Sequence, residues 1–175
     1  GGRRDQRNLA EEWSKKSGNH RYIWDRKGFD AIDAAARPRV LGLFEPSHMQ
    51  YEADRGADAG GEPSLAEMTT KAIDILRQDK DGFFLMVEGG RIDHAHHAGN
   101  AARALKDTQA FSEAVAAAIA KTDTRDTLII VTADHGHTLT FAGYPRKGSD
   151  ILGLATATLE DTRARDGYAL AGDGK

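Results

Sequence analysis

The sequence predicts an α/β fold, with a largely parallel sheet that helices cover on both faces. Residues 83–87 and 127–132 are apolar runs without polar alternation, which is typical of strands buried on both faces. A long amphipathic segment, residues 101–121, separates these runs and has the period of a helix. Strand, helix and strand in this order indicate a right-handed βαβ unit with parallel strands. The expected architecture is therefore a three-layer α/β/α sandwich.

The preceding residues predict shorter elements of the same kind. Apolar spacing indicates helices, β-rich runs indicate strands, and a polar, glycine-rich stretch indicates a loop. Pro63 falls in the first turn of one predicted helix, where proline is favoured. The predicted helices cover residues 8–16, 29–36 and about 63–78, the strands residues 21–24, 39–44 and 168–169, and the loop residues 52–62.

Composition excludes several classes of function. The chain has 175 residues, enough for one domain with a hydrophobic core, and a net charge of −3, so it offers no basic surface for nucleic acid. No apolar run approaches the roughly 20 residues of a membrane span, and the N-terminus lacks the apolar stretch of a signal peptide. Cysteine is absent, so a transition-metal site must use histidine and carboxylate.

Candidate metal ligands follow the two central apolar runs. Because the carboxyl ends of parallel strands meet at one edge of a sheet, residues 88–97 and 134–137 are expected to lie together. Asp93 and His97 are four residues apart, so a helix after Ile92 would place both on one face, within reach of one zinc ion.

The remaining acidic and histidine residues suggest further sites. Glu88 lies before that turn, where a carboxylate suits a harder ion such as Mg²⁺, and Gly89-Gly90 would let the chain turn between them. Asp134 and His135 are adjacent and could share one metal if the chain bends at Gly136. His137 is placed to orient a ligand from outside the coordination sphere.

Structural readings compete with this interpretation. A lone histidine such as His48 or His20 is expected to be a satisfied core residue, and His96 is expected to be exposed beside its neighbours. Acidic residues and histidines gathered at two strand ends rarely serve packing alone. We therefore expect a metal site there rather than a structural cluster.

The chain resembles the alkaline phosphatases, particularly the branch that contains the animal enzymes and related bacterial ones. The resemblance is carried most specifically by VEGGRIDHAHH at residues 87–97 and VTADHGH at residues 131–137. It extends to about residue 154. Supporting segments lie at residues 8–13, 42–52 and 141–149.

The resemblance implies a phosphate monoester hydrolase that acts through a phosphoserine intermediate at a site with two zinc ions and one magnesium ion. It also implies a homodimer located in the periplasm or outside the cell. Position by position, it assigns Glu88 to magnesium, Asp93 and His97 to the first zinc, Asp134 and His135 to the second, His94 to phosphate through water, His137 to an outer contact, and the Phe44 carbonyl, Glu45 and Glu62 to a calcium-type site.

Several residues that the family requires have no counterpart. The chain contains no Asp-Ser-Ala segment, and its serines, at positions 14, 17, 47, 64, 112 and 149, lie in other contexts. An early bridging Asp, the hydroxyl ligand of magnesium, the phosphate-binding Arg and a late zinc-binding His are also missing. We therefore expect residues 1–175 to be the central part of a single domain, lacking both ends, with little turnover alone.

Two alternatives remain open at this stage. Metal-dependent phosphodiesterases, sulfatases and phosphoglycerate mutases also bind their metals through Asp and His ligands. The chain could also be a non-catalytic metal-binding module. Two protein ligands per zinc predict weak affinity, so millimolar Zn²⁺ is expected to raise the melting temperature of a marginally stable chain.

Overall fold

The structure is a computed structural model that describes residues 4–16, 18–137, 148, 150, 155–156 and 168–169. The segment at residues 141–149, which supports the family resemblance, lies outside this set except for residue 148. Ser17 also lies outside it. Within it, the chain forms helices around short parallel and antiparallel strand pairs, an incomplete α/β arrangement.

The N-terminal part forms the first βαβ unit. Helix α1 (Leu9–Ser14) begins at Asn8, whose side chain accepts a hydrogen bond from the Glu11 amide. Strands β1 (His20–Ile23) and β2 (Arg39–Gly42) pair in parallel, which confirms both predicted strands within two residues at their ends.

The connection between these strands differs from the single helix expected at residues 29–36. Helix α2 (Arg26–Asp30) starts earlier, because the Asp25 carboxylate accepts a hydrogen bond from the Gly28 amide at 2.7 Å and caps it. A separate 3₁₀ turn, Ala34–Ala36, follows and ends at Arg37 in the left-handed region. Pro38 comes next, where proline disfavours a helical residue before it.

The glycine-rich loop carries one 3₁₀ turn, Arg55–Ala57, and packs back against α2. Gly61 has a φ of +76°, and a Cβ at this position would lie 2.8 Å from the Cβ of Arg26. Both the backbone conformation and the close approach therefore require glycine. The Gly60 carbonyl accepts a hydrogen bond from the Arg26 amide at 3.0 Å, which ties the loop to the start of α2.

Helix α3 (Leu65–Leu76) begins with a capping box. The Ser64 side chain accepts from the Glu67 amide, and the Glu67 carboxylate accepts from the Ser64 amide. Ile73 of this helix is buried. A core of Ile23, Phe29 and Ile32 lies between the β1–β2 pair, α2 and α3, with Val40, Phe44, Met68 and Ile75 packed around it.

Helices α4 (Arg91–His97) and α5 (Ala101–Lys121) form the frame of the candidate site. Both α3 and α4 pack against α5, whose observed bounds match the predicted ones. Several small residues are buried on α4 and α5, which favours a close approach of the helices. They are Ala95 of α4 and Ala101, Ala104, Ala110 and Ala114 of α5.

The two central strands that the sequence predicts are not formed. Residues 83–87 and 127–132 carry no strand pairing, and Phe84, Leu128 and Ile130 are 89%, 83% and 77% exposed. A parallel strand exists only with a hydrogen-bonding neighbour. Within the part of the chain that the structure describes, neither segment has one.

The last described strands are β3 (Ala155–Thr156) and β4 (Tyr168–Ala169), which pair antiparallel. The strand expected at residues 168–169 is therefore confirmed. Among the described helices, none is both long enough and apolar enough to span a bilayer.

Candidate metal centre

Helix α4 brings Asp93 and His97 together, as their spacing predicts. The Nε2 atom of His97 lies 3.4 Å from Oδ2 of Asp93. Two ligands held about 2.0–2.2 Å from one tetrahedral zinc are about 3.3–3.5 Å apart. The observed separation is therefore compatible with two ligands of one ion.

The second segment reaches the same carboxylate. The Nε2 atoms of His135 and His137 lie 3.6 and 3.5 Å from Oδ1 of Asp93. Asp93, His97 and His137 form a group that could hold a metal ion, with one ligand atom from each lying within 4.8 Å of the others. The sequence expectation that the two segments meet is confirmed for these residues, although the strands leading to them are not formed.

Two buried polar atoms in this group have no hydrogen bond among the described residues. They are Oδ1 of Asp93 and Nδ1 of His137. A buried carboxylate oxygen without a hydrogen bond is costly, and a bound cation would remove that cost. The residues present therefore fit a divalent ion chosen by histidine and carboxylate ligands.

The hydrogen bonds of His135 prepare one ring nitrogen for a metal. Its Nδ1 lies 2.7 Å from the Gly136 carbonyl oxygen, which can only accept, so Nδ1 carries the proton and the neutral ring keeps a lone pair on Nε2. The bond to Gly136 and then the nearby Asp134 carboxylate raise the pKa of His135.

Asp134 and Glu88 are not part of the group formed by Asp93, His97 and His137. Oδ2 of Asp134 is 3.6 Å from Nε2 of His135, and the Asp134 side chain is 88% exposed. Glu88 is exposed and does not belong to the group of Asp93, His97 and His137.

Close approach accounts for Gly89, and neither Gly89 nor Gly90 is needed for an unusual turn. Neither residue has a positive φ, and Gly90 is right-handed helical. A Cβ at Gly89 would lie 3.1 Å from Cδ1 of Ile92, and one at Gly90 would lie 3.4 Å from Oε1 of Glu88. Gly89 leaves room for the Ile92 side chain, whereas the distance at Gly90 is that of an ordinary van der Waals contact.

His94 lies on α4 but contacts a different set of residues. Its Nδ1 is 3.0 Å from Nη1 of Arg91, and its ring centroid is 4.3 Å from that of His48. Burial lowers the pKa of His94, and the neighbouring His48 and Arg91 lower it further.

Two expectations for single histidines are wrong. His48 is exposed and packs on His94, rather than filling the core. His96 is half-buried, stacks on His137 with ring centroids 5.2 Å apart, and bonds the Ile92 carbonyl. No local spacing connects His48 with residue 94, so the sequence gives no signal for this contact.

Two of the three candidate calcium residues, Glu45 and Glu62, share a hydrogen-bond partner. The partner is Gln50. Its backbone N–H donates to Oε2 of Glu62 at 2.8 Å, and its side-chain Nε2 donates to Oε1 of Glu45 at 3.3 Å. Glu62 is 3% exposed, and its Oε1 is buried without a hydrogen bond among the described residues. Burial raises the pKa of the Glu62 carboxyl.

Known proteins with similar sequences are alkaline phosphatases. The family model for alkaline phosphatase matches residues 1–168. The tissue-nonspecific alkaline phosphatase of Felis catus is 46% identical over 158 residues, which are 89% of this chain and 30% of that protein. The alkaline phosphatase of Gadus morhua is 42% identical over 159 residues, 89% of this chain and 32% of that protein.

Solved structures of alkaline phosphatases also match this chain. The Thermus thermophilus alkaline phosphatase matches with a TM-score of 0.58 at 33% identity, over 65% of this chain and 23% of that one. A cold-active alkaline phosphatase from Shewanella sp. matches with a TM-score of 0.53 at 32% identity, over 67% of this chain and 28% of that one. The chain spans about a third of the length of its curated relatives, and it belongs to the alkaline phosphatase family.

Proposed function

We propose that this chain supplies metal ligands to a phosphate monoester hydrolase that acts through a phosphoserine intermediate. The observation that carries the proposal is the Asp93 carboxylate, approached by the imidazoles of His97, His135 and His137 at 3.4–3.6 Å. Histidine and carboxylate at these separations suit zinc.

The ligands divide between three ions. Asp93 and His97 would hold a first zinc and Asp134 and His135 a second, while Glu88 would serve magnesium, which prefers carboxylate oxygens. His137 would contact the Asp93 carboxylate from outside the coordination sphere and orient it. The Nδ1 proton of His135, held by the Gly136 carbonyl, supports a lone pair on Nε2 for the metal.

When bound, these divalent ions would supply Lewis-acid stabilisation to the phosphoryl oxygens. The chain's own part is to hold its ligands and to position His94, which would reach phosphate through water. No serine of the chain lies in an Asp-Ser-Ala context. We therefore propose that the nucleophile is not one of these 175 residues, and that they have little turnover by themselves.

We also propose that Glu45, Glu62 and the Phe44 carbonyl hold a calcium-type ion. The support is the buried Oε1 of Glu62, which has no hydrogen bond among the described residues, and the second carboxylate bridged to it by Gln50. Hard oxygen ligands of this kind suit Ca²⁺.

For the whole protein, we propose a homodimer that acts in the periplasm or outside the cell. Membership of the alkaline phosphatase family favours phosphate monoesters over phosphodiesters, sulfate esters and mutase substrates.

Zinc is expected to stabilise the chain. At free zinc about 100 times the dissociation constant, linkage gives about 2.7 kcal/mol. For a chain of this size this raises the melting temperature by about 5–10 °C. The Asp93→Asn variant should lose most of this zinc-dependent rise in melting temperature, because the substitution removes the negative carboxylate that the imidazoles surround. The measurement is a thermal melt followed by circular dichroism over a zinc titration.

The matched control is Asp81→Asn, an exposed carboxylate in the turn after α3. This variant should respond to zinc as the unmodified chain does. A melting temperature that ignores zinc, or an equal response in the Asp93 variant, would contradict the site.

Calcium is expected to act through Glu62. Millimolar Ca²⁺ should raise the melting temperature of the unmodified chain, and Glu62→Gln should abolish that rise while keeping the response to zinc. Without calcium, the variant should be at least as stable, because it removes a buried carboxylate whose charged form burial disfavours. Glu113→Gln, on an exposed position of α5, is the control. A calcium response that survives in the Glu62 variant would refute the assignment.

Activity is expected only in the whole protein. Expressed from its complete gene, it should hydrolyse p-nitrophenyl phosphate, with bis(p-nitrophenyl) phosphate and p-nitrophenyl sulfate at least about 100-fold poorer, a difference of about 2.7 kcal/mol in the barrier. The 175-residue chain should show no metal-dependent turnover. Hydrolysis by the chain alone would overturn the assignment of the nucleophile. A complete gene product that binds metal without activity would favour a non-catalytic binding protein.

A further inference from the structure

Arg91 and His94 form a hydrogen-bonded pair one turn apart on α4. Nη1 of Arg91 lies 3.0 Å from Nδ1 of His94. A guanidinium group only donates hydrogen bonds, so Nδ1 of His94 must accept and carries no proton. A neutral imidazole has one ring proton, which is then on Nε2.

The other histidines with a ring bond in this site have the opposite arrangement. Nδ1 of His96 and Nδ1 of His135 each lie 2.7 Å from a backbone carbonyl oxygen, which only accepts. Their protons are therefore on Nδ1 and, when neutral, their lone pairs are on Nε2. A lone pair binds a metal ion, whereas an N–H donates to an anion.

The Arg91 side chain is itself held in place. Its guanidinium carbon lies 3.6 Å from the centroid of the Tyr51 ring, and its Nε is buried without a hydrogen bond among the described residues. Asp107 of α5 is buried nearby, where burial raises its pKa and the charge of Arg91 acts in the opposite direction. His48, from the same segment as Tyr51, covers the His94 ring at 4.3 Å between centroids.

We propose that Arg91 is a positioning residue that fixes His94 as its Nε2–H tautomer, so that His94 offers a hydrogen-bond donor and not a metal ligand beside the zinc group. The inference deepens the proposed function, because it explains how one histidine next to Asp93 is kept for phosphate. The tautomer itself can be tested without any catalytic activity.

The direct test is nuclear magnetic resonance of the chain with ¹⁵N-labelled histidine and arginine. Long-range ¹H–¹⁵N spectra distinguish the two tautomers, and the disappearance of one set of signals in His94→Gln assigns the ring. We expect the Nε2–H pattern for His94, the Nδ1–H pattern for His96 and His135, and a scalar coupling across the bond from Arg91 to His94. An Nδ1–H pattern for His94 would overturn the proposal before any Arg91 variant is made.

Variants then test the role of Arg91. In Arg91→Met the His94 ring should exchange between tautomers, so its two ¹⁵N shifts should move toward each other, and Arg91→Lys should restore part of the difference. Arg103→Met is the matched control, because Arg103 lies over the same Tyr51 ring at 4.8 Å but its Nε bonds Asp54 at 2.9 Å. Unchanged His94 shifts in a folded Arg91→Met chain, shown by unchanged His96 and His135 signals, would also overturn it.

The whole protein gives a second readout. There, Arg91→Met should lower kcat/KM for p-nitrophenyl phosphate about tenfold, the scale of lost support to a site residue. Arg103→Met should change it less than about twofold. If His94 has the expected tautomer but the whole protein has no phosphatase activity, the role of Arg91 is supported and the proposed function is contradicted. If the whole protein is active but His94 has the Nδ1–H tautomer, the proposed function is supported and the role of Arg91 is contradicted.

Discussion

The Asp93 carboxylate is the point at which the two ligand-bearing segments of this chain meet. Oδ2 faces His97 on the same helix, and Oδ1 faces His135 and His137 from a segment some forty residues further on. Oδ1 is buried and accepts no hydrogen bond in the described part of the chain, so no such bond holds this contact between the segments. A cation shared by the same side chains would strengthen it.

The position of Asp93 depends in turn on the packing of α4 against α5. Ala95 is fully buried at this contact, and small residues of α5 allow the short helix to lie close. Asn100 caps α5 directly after α4, its side chain accepting a hydrogen bond from the Arg103 amide at 3.0 Å. Packing against α5 thus holds the short helix that carries Asp93 and His97.

The elements that could be predicted from the sequence are those defined by local interactions. Helix α5 was expected at its observed bounds because its apolar period and its terminal residues lie within its own sequence. The strands at residues 83–87 and 127–132 were expected from apolar composition and are absent from the described structure. A strand needs a neighbour elsewhere in the chain, which composition does not specify.

The same distinction holds in the candidate site. The pairing of Asp93 with His97 follows from a helical repeat, and the approach of His135 follows from two segments that end at one place. The contact of His48 with His94 and the stacking of Arg91 on Tyr51 depend on how the segment around residue 50 folds over α4. No spacing in the sequence encodes that tertiary arrangement, so these residues are found only in the structure.

Histidine and carboxylate side chains of this chain are expected to bind zinc directly. X-ray absorption at the zinc edge, recorded on the chain with one equivalent of zinc, tests it most directly. If these side chains bind zinc, the spectrum will show a shell of about four nitrogen and oxygen ligands near 2.0–2.2 Å, with multiple scattering from at least one imidazole. A spectrum of hydrated zinc, without imidazole scattering, would contradict it.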